Sequence, residues 1–355
     1  MVKVVYFNQW FSSIANVIDD LKKKHGNRIK IIASSKNKDH AYKDSVDVFI
    51  VEDWEETDDK EESMQNYIDW VLNLCETYHV DYFFVKKHAK YIRKNSMELY
   101  MRGVFLISED LETLGLMDSK ADVYDRLIED KVLSKYIPEY YIFSDTWNAK
   151  TFVKHSLDNE EKICLKLDTD EGGASFRMIS NEAVNFESLY KFRINTLNYS
   201  DALDLIDSAD GKIDKILFME LLDNPEISVD CYNSKKGFIA ICRCKEGGRR
   251  EKIYYSKRIA NICKRICDEL HLRFPFNVQF RYKAGSDKSK TSNLRLLEIN
   301  PRMSGGLYYE VLHGMNIAEV CLLDMMNMPE LYDINKFKDF KPKYVGHVEK
   351  PIKLS

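Results

Sequence analysis

The sequence predicts an N-terminal α/β unit followed by a larger mixed α+β region, and three observations carry that expectation. Apolar runs of strand length alternate with amphipathic stretches over roughly the first 110 residues, the pattern of a parallel sheet with helices on its faces. From Ile163 onward strand patterns dominate and polar or glycine-containing turns join them, which suits a largely antiparallel sheet. With 355 residues, 45% of them hydrophobic, and only 14 glycines and 7 prolines, the chain can build two or three packed cores with few linkers.

The elements follow in order. Lys3–Phe7 (KVVYF) reads as a buried strand, and Phe11–His25 as a helix with Ile14, Val17, Ile18 and Leu21 on one face. Strands are expected at Ile29–Ala33 and Asp47–Val51, a helix at about Glu62–Tyr78, a strand at Tyr82–Val85, a further helix, and a strand at Val104–Ile107. Asp118–Lys135 reads as one helix, capped by Asp118 or Ser119, with Val123, Leu127, Ile128 and Val132 facing inward; Pro138 ends it. Thr146–Leu157 is a further helix. Ile163–Leu167 and Phe176–Ile179 are strands around a glycine-containing turn, and helical stretches fall near Ala183–Ala209. Strands at Ile216–Glu220, Ile227–Tyr232, Phe238–Lys245, Phe276–Tyr282 and Leu294–Ile299 complete the region, interrupted by a helix at Ser256–Leu270. The lysine-rich tail Asn335–Ser355 is interleaved with Phe337, Phe340, Pro342, Tyr344 and Val345 and is expected to dock on the core. The pattern itself gives an α/β unit over about 1–110, a mixed α+β region after it, and the basic tail at the end.

Several functions lose their support at once. Lys plus Arg is 53 and Asp plus Glu 57, a net charge of −4, so a bulk polybasic nucleic-acid binder is excluded. No secretory segment or membrane-length apolar run is present, and the eight cysteines form no C-x-x-C pair, which points to buried thiols in a cytoplasmic protein. The turn after the first strand, Asn8-Gln9-Trp10-Phe11-Ser12-Ser13, lacks the G-x-G-x-x-G of dinucleotide enzymes, and no P-loop occurs. Glu52–Glu62 holds eight carboxylates in eleven residues without the alternating ligands of a calcium loop, so it reads as a solvated loop.

Three segments carry chemistry. In Phe276–Gly306, FNVQFRY places Asn277, Gln279 and Arg281 on one face, and LRLLEIN places Leu296, Glu298 and Asn300 on one face. Gln279, Glu298 and Asn300 offer oxygen only, a set that suits Mg²⁺ completed by phosphate and water rather than zinc. Arg302, directly after Pro301, can steady charge on a transferring phosphoryl group. In Ile163–Ile179, Lys166 lies inside an apolar strand and needs an anionic partner, and Gly172, Gly173, Ala174 and Ser175 form a small-residue loop whose N–H groups can close on phosphates. In Leu217–Asp230, Glu220-Leu221-Leu222 ends a strand and can bond an adenine edge; a turn at Asp223-Asn224-Pro225 follows, and Glu226 can accept from ribose hydroxyls. Arg177, Arg243 and Arg281 are further candidates for gripping an anion, and Ser12 and Ser13 could present N–H groups to a carboxylate. The acceptor pocket is expected near Ser304–Gly306, Tyr308, Tyr309, the helix holding His313, and the Asn8–Ser13 turn.

In this order and spacing the segments resemble the ATP-grasp superfamily, the carboxylate–amine ligases that include carbamoyl-phosphate synthetase and D-alanine–D-alanine ligase. The resemblance runs to about Asn327 and is sharpest in NVQF…LEINPRMSGG. It implies an ATP-grasp fold with an N-terminal Rossmann-like α/β domain at 1–110, a helical linker and start of the ATP-grasp part at 111–160, a small lid at 161–235, a metal-bearing part at 236–330 and a basic tail at 331–355. It implies metal ligands at Gln279, Glu298 and Asn300, catalytic roles for Arg302 and Lys166, and nucleotide contacts at Lys120, Lys166, Gly172, Gly173, Ser175, Glu220, Leu221, Leu222 and Glu226. Departures from the family pattern are Ser119 between Asp118 and Lys120, only two adjacent glycines in the loop, acids at Asp168, Asp170 and Glu171, and no proline after Lys166.

The reaction implied is ADP-forming ligation: a carboxylate attacks the γ-phosphate of ATP, and an amine or similar nucleophile displaces phosphate from the acylphosphate. ATP, Mg²⁺ or Mn²⁺, a small carboxylate and an amine are the expected ligands and a homodimer the expected assembly, without nucleic acid or membrane. A kinase-like phosphotransferase and a non-catalytic nucleotide-binding module are the rival readings.

Overall fold

The computed structural model describes residues 2–159, 161–170, 173–180, 195–209, 212–247 and 250–346. The chain divides into two compact units. The first comprises Met1–Gly115, Ile227–Val278 and Ile299–Ser355, and the second Leu116–Glu226 and Gln279–Glu298.

The first unit opens with the expected alternation: β1 (Lys3–Asn8), α1 (Ile14–His25), β2 (Ile29–Ser35), β3 (Val48–Val51), α2 (Lys60–Thr77), β4 (Tyr82–Phe84), α3 (Ala89–Lys94), α4 (Ser96–Met101), β5 (Phe105–Ile107) and α5 (Leu111–Met117). The five strands form a parallel sheet in the order β3-β2-β1-β4-β5. Alternation along β1 sends Val5 and Phe7 to one core and Tyr6 to the other. Ile14, Val17, Ile18 and Leu21 of α1 cover the first face, and Tyr67, Ile68, Val71 and Cys75 of α2 the second. Each such apolar side chain contributes about 1.5–3 kcal/mol by leaving water. Asp59 caps α2, accepting from the N–H groups of Glu61 (2.7 Å) and Glu62 (3.1 Å).

The second unit begins with α6 (Lys120–Ile128), β6 (Tyr140–Asp145), α7 (Thr146–Asp158), β7 (Ile163–Leu167), β8 (Arg177–Ser180), β9 (Thr196–Asn198), α8 (Tyr199–Asp207) and β10 (Lys212–Glu220). Its sheet runs β6-β10-β7-β8-β9, antiparallel except for β8 beside β9. One face packs Ile163, Leu165, Ile216 and Phe218 against Ala149 and Val153 of α7 and Ile206 of α8. Cys164 and Lys166 point to the opposite face.

Ser119 does cap α6, accepting from the Asp122 N–H at 3.0 Å, but the helix ends at Ile128 rather than Lys135. Asp130 takes over as a turn, accepting from the N–H groups of Val132 and Leu133, and a 3₁₀ turn follows at Leu133–Tyr136. Ile128 and Val132, expected to face inward, are exposed. The helical expectation over Ala183–Ala209 is partly outside the described residues; within them, β9 and α8 occupy its end.

A third, six-stranded sheet has the order β15-β14-β11-β12-β13-β16. Its strands are β11 (Leu222–Ser234), β12 (Gly237–Gly247), β13 (Arg250–Tyr254), β14 (Phe276–Lys283), β15 (Leu294–Asn300) and β16 (Lys343–Gly346). Helices α9 (Lys257–Glu269), α10 (Leu307–Val311) and α11 (Ile317–Met325) complete the chain. The turn expected at Asp223-Asn224-Pro225 is instead part of β11, with a cis Asn224–Pro225 bond. Phe337 and Val345 are buried and β16 pairs antiparallel with β13, so the described part of the tail docks as expected; residues 347–355 lie outside the described set. His313 lies beyond α10 rather than in a helix. All eight cysteines are free thiols, Cys244 half-buried and the rest buried.

Candidate active site

In the second unit the site is built on the face of β7 that carries Cys164 and Lys166. Lys166 is only 4% exposed. Burial and the nearby charge of Lys120 push its pKa down to about 8 from the usual 10.5, against smaller opposing effects of Cys164, Glu298 and Asp168. The like charge is the informative part: two ammonium groups brought together from α6 and β7 form a locus that favours a polyanion. Lys120 is steadied from one side, donating to the backbone carbonyls of Asp168 (3.1 Å) and Asp170 (2.5 Å).

The acids of the glycine loop organise the loop. Asp168 is buried and its Oδ1 accepts from the Ala121 N–H at 2.9 Å, joining the loop to the start of α6. Asp170 Oδ2 accepts from the Ser175 N–H (2.8 Å) and hydroxyl (2.7 Å), and Ser175 Oγ in turn accepts from the Leu167 N–H (2.8 Å). Ser175 is thus engaged within the loop. Gly173 has φ +70°, a conformation costly for other residues. Gly172 and Glu171 lie outside the described residues.

The end of β10 leads into Glu220–Leu222, the stretch expected to meet an adenine edge. The Glu220 N–H donates to the Glu139 carbonyl (3.0 Å) and the Leu221 N–H to the Lys162 carbonyl (2.9 Å), so neither is held ready for a base. Glu220 Oε1 accepts from the Glu139 N–H and lies 3.5 Å from Arg295 Nε. Beside these residues Cys164, Met219 and Leu222 form a small apolar cluster with Tyr140, Phe176, Leu221 and Leu297 packed on it. A cavity of about 240 Å³ opens along Glu220 and Leu221, with Ile163, Met219, Lys162 and Lys283 in its walls. Glu226, expected to hold a ribose, is engaged by Arg281, whose Nη2 donates to Oε2 at 3.0 Å. Arg281 is therefore a partner of Glu226 here. Arg177 donates to the carbonyls of Ala174 and Phe176 and braces the loop.

Gln279 and Glu298 belong to this same unit. Glu298 is close enough to influence both Lys166 and the buried Tyr124, whose pKa is raised by burial first and by Glu298 next. The Tyr124 hydroxyl donates to the Leu297 carbonyl at 2.7 Å and so fixes β15 just before Glu298.

The first unit carries Asn300 and Arg302. The Arg302 guanidinium stacks over the Phe11 ring, with its central carbon 4.9 Å from the ring centroid. Arg243, a sequence candidate for anion binding, has another role. It is buried and meets three carboxylates: Asp230 (3.0 Å), Glu251 (3.1 Å) and Glu310 (3.2 Å). It also donates to Ser228 Oγ (3.0 Å) and Ser304 Oγ (2.8 Å). With three acids around it, an additional anion is disfavoured. Arg243 instead ties Ser304 to β11, and a methyl group at Gly306 would stand 2.0 Å from its Nη1. Burial, the neighbouring Asp230 and weaker opposing Arg243 leave the Glu310 carboxyl well above the usual range. This cluster escaped sequence reading because its acids come from β11, β13 and α10. Alternation along β12 was the only local signal.

His313 is half-buried, with its pKa lowered by burial and the charge of Lys343. Ser13 precedes α1 without a side-chain cap.

Residues 212–348 match the family model described as ATP-grasp in the biosynthetic pathway with Ter operon. No curated protein matches the chain. Among solved structures, the chain is similar to the N5-carboxyaminoimidazole synthetase of Staphylococcus aureus, with TM-score 0.61 and 12% identity over 91% of this chain and 76% of that one. It is also similar to the biotin carboxylase domain of the 2-oxoglutarate carboxylase of Hydrogenobacter thermophilus, solved with MgADP, ADP and bicarbonate, with TM-score 0.64 and 13% identity over 97% and 74%. A third is the biotin carboxylase of Campylobacter jejuni in a β-γ-ATP complex, with TM-score 0.60 and 15% identity over 94% and 72%. The protein has the ATP-grasp fold of these structures, and residues 212–348 match an ATP-grasp family model.

Proposed function

We propose that the protein is an ADP-forming carbon–nitrogen ligase that joins a carboxylate to an amine, or a similar nucleophile, by way of an acylphosphate. The observation that carries this reading is Lys166, buried on β7 beside Lys120 and within reach of Glu298. A buried ammonium beside a second cation has a depressed pKa until a phosphate chain arrives, and the arrangement is suited to one.

The nucleotide base would rest against Cys164, Met219, Leu222 and Leu297, and the hinge Glu220–Leu222 would flank it. Glu226 would meet the ribose, either with Arg281 still attached or in exchange for it. Lys120 and Lys166 would grip the phosphates, with Gly173 and Ser175 above them. Gln279, Glu298 and Asn300 present oxygen donors only, and Glu298 and Asn300 lie two residues apart on β15 and so share a face. That chemistry fits magnesium, which when bound would neutralise phosphate oxygens. Arg302 would stabilise charge on the phosphoryl group and on the tetrahedral adduct formed with the amine. No side chain in this scheme is a nucleophile; the chain positions and neutralises.

Support for MgADP as ligand comes from the Hydrogenobacter structure, and support for ligation from this chain's likeness in fold to the Staphylococcus aureus N5-carboxyaminoimidazole synthetase. The test is a coupled ADP-release screen against amino acids, dipeptides and other carboxylates, with and without amines. ADP and free phosphate that depend on both a carboxylate and a nucleophile are expected. A stable phosphorylated product, or no ADP with any member of the panel under MgATP saturation, would overturn the ligase reading.

A further inference from the structure

Asp168, one of the acids that depart from the family pattern, is only partly accounted for by the loop it begins. Its N–H still bonds the Lys215 carbonyl of β10 at 3.0 Å, so strand pairing runs one residue past the end of β7. By alternation Asp168 then lies on the same face as Lys166. Asp168 is 1% exposed. Its Oδ1 is engaged at the start of α6, on the Ala121 N–H at 2.9 Å. Among the described residues nothing donates to its Oδ2.

A buried carboxylate oxygen without a donor is costly and calls for a physical reason. Asp170, by contrast, receives both the N–H and the hydroxyl of Ser175. The charge of Asp168 reaches the site instead. It acts on Lys166 and on the buried Tyr124, and Glu298 acts on the same two residues. Lys120, Lys166, Asp168 and Glu298 all belong to the second unit. A negative charge is therefore built in beside the two ammonium groups, where water screens it weakly. Two lysines alone would take any polyanion. With a fixed carboxylate beside them, the locus repels a bare polyanion and tolerates one whose charge a cation already offsets.

We infer that Asp168 is a specificity-determining residue, which makes this locus accept a magnesium-complexed phosphate chain and reject the metal-free one. The inference rests on the nucleotide reading of the same site and deepens it. Gln279 and Glu298 offer the oxygens that suit the metal, and Asp168 keeps the uncomplexed nucleotide out. It does so by charge, and no bond from Oδ2 to the metal is required.

The experiment is calorimetric titration of the full chain with ADP at constant ionic strength, once with excess Mg²⁺ and once with EDTA. The wild type should bind MgADP at least about tenfold more tightly than metal-free ADP. Asp168→Asn keeps an acceptor for the Ala121 N–H and removes the charge. It should tighten metal-free ADP about tenfold and leave MgADP within about threefold, so that the preference collapses. Far-UV circular dichroism reports the fold; should that variant not fold, Asp168→Ser, which also keeps an acceptor, carries the same comparison. Three results overturn the inference: both affinities rising together, as for a carboxylate that merely occupies the place of a phosphate; both falling together, as for a structural tie; or an unchanged preference. Inorganic pyrophosphate, with and without Mg²⁺, is titrated in parallel and reads the phosphate locus without a base. A preference for magnesium pyrophosphate that depends on Asp168, with no binding of ADP, would sink the nucleotide reading and uphold the role of Asp168. Absence of binding by either ligand would overturn both.

Discussion

Replacing Lys166 with methionine separates the stability of the fold from the function of the site, because the same burial acts on both in opposite directions. The drop from 10.5 to about 8 costs the empty protein about 3 kcal/mol of stability at neutral pH. Since the folded pKa is depressed, the sign runs opposite to that of a salt-bridged lysine. Below pH 8 both folded and unfolded chains hold the proton and the full cost is present. Between about 8 and 10.5 only the unfolded chain holds it, so the folded state recovers stability as pH rises, and above 10.5 the cost is gone. Lys166→Met, with a similar unbranched stem, should therefore raise stability in urea titrations by up to about 3 kcal/mol at pH 7, with the gain fading toward pH 10. The same substitution should weaken MgADP binding by roughly tenfold to a hundredfold, since a charged contact to phosphate is lost. The wild type adds an independent reading. Phosphate restores the lysine's pKa, so MgADP binding at pH 8 should take up about half a proton, seen as a dependence of the binding heat on buffer ionisation enthalpy. Proton-neutral binding at pH 8, or a variant that is less stable with unchanged nucleotide affinity, would refute the reasoning.

Glu298→Ala should abolish ATP turnover in a chain whose circular dichroism is unchanged; retained turnover would refute the metal assignment. Arg243→Met leaves Asp230, Glu251 and Glu310 without their common cation and should destabilise the first unit by roughly 3–5 kcal/mol, measurable by urea denaturation; a neutral effect would contradict the structural role given to Arg243. Glu310 has a raised folded pKa and faces Asp230 and Arg243, so stability should fall as pH climbs above the ordinary carboxylate range, and Glu310→Gln should flatten that fall. An unaltered pH–stability profile in Glu310→Gln would show that the carboxyl ionises normally.

What was legible in the sequence followed from periodicity and local chemistry. The β1–β5 alternation showed because each strand there is a short apolar run between amphipathic helices. Lys166 stood out because a lysine inside ICLKL has no polar side to turn to. Besides β9, which was read as helix, three strands went unread. Tyr140–Asp145 is half-exposed, and Arg250–Tyr254 (REKIY) and Lys343–Gly346 (KYVG) are short and charged, as strands at or near a sheet edge tend to be. The helix over 118–135 was read too long because Ile128 and Val132 keep the helical spacing, and Asp130 stops the helix by bonding two N–H groups of the turn. The carboxylates around Arg243 were beyond reach because Asp230, Glu251 and Glu310 are joined to it only by tertiary packing, and each acid alone looks like an ordinary surface charge.

The central claim is that the phosphates of ATP meet a substrate carboxylate on this chain. Its most direct test is phosphorus NMR of turnover with MgATP, an amine and a carboxylate labelled with ¹⁸O, using the acid that the ADP-release screen selects. An acylphosphate route transfers one ¹⁸O atom to the released phosphate, seen as an isotope-shifted phosphate signal that forms with ADP. Phosphate without ¹⁸O, or a lasting phosphorylated product in place of free phosphate, would contradict the account.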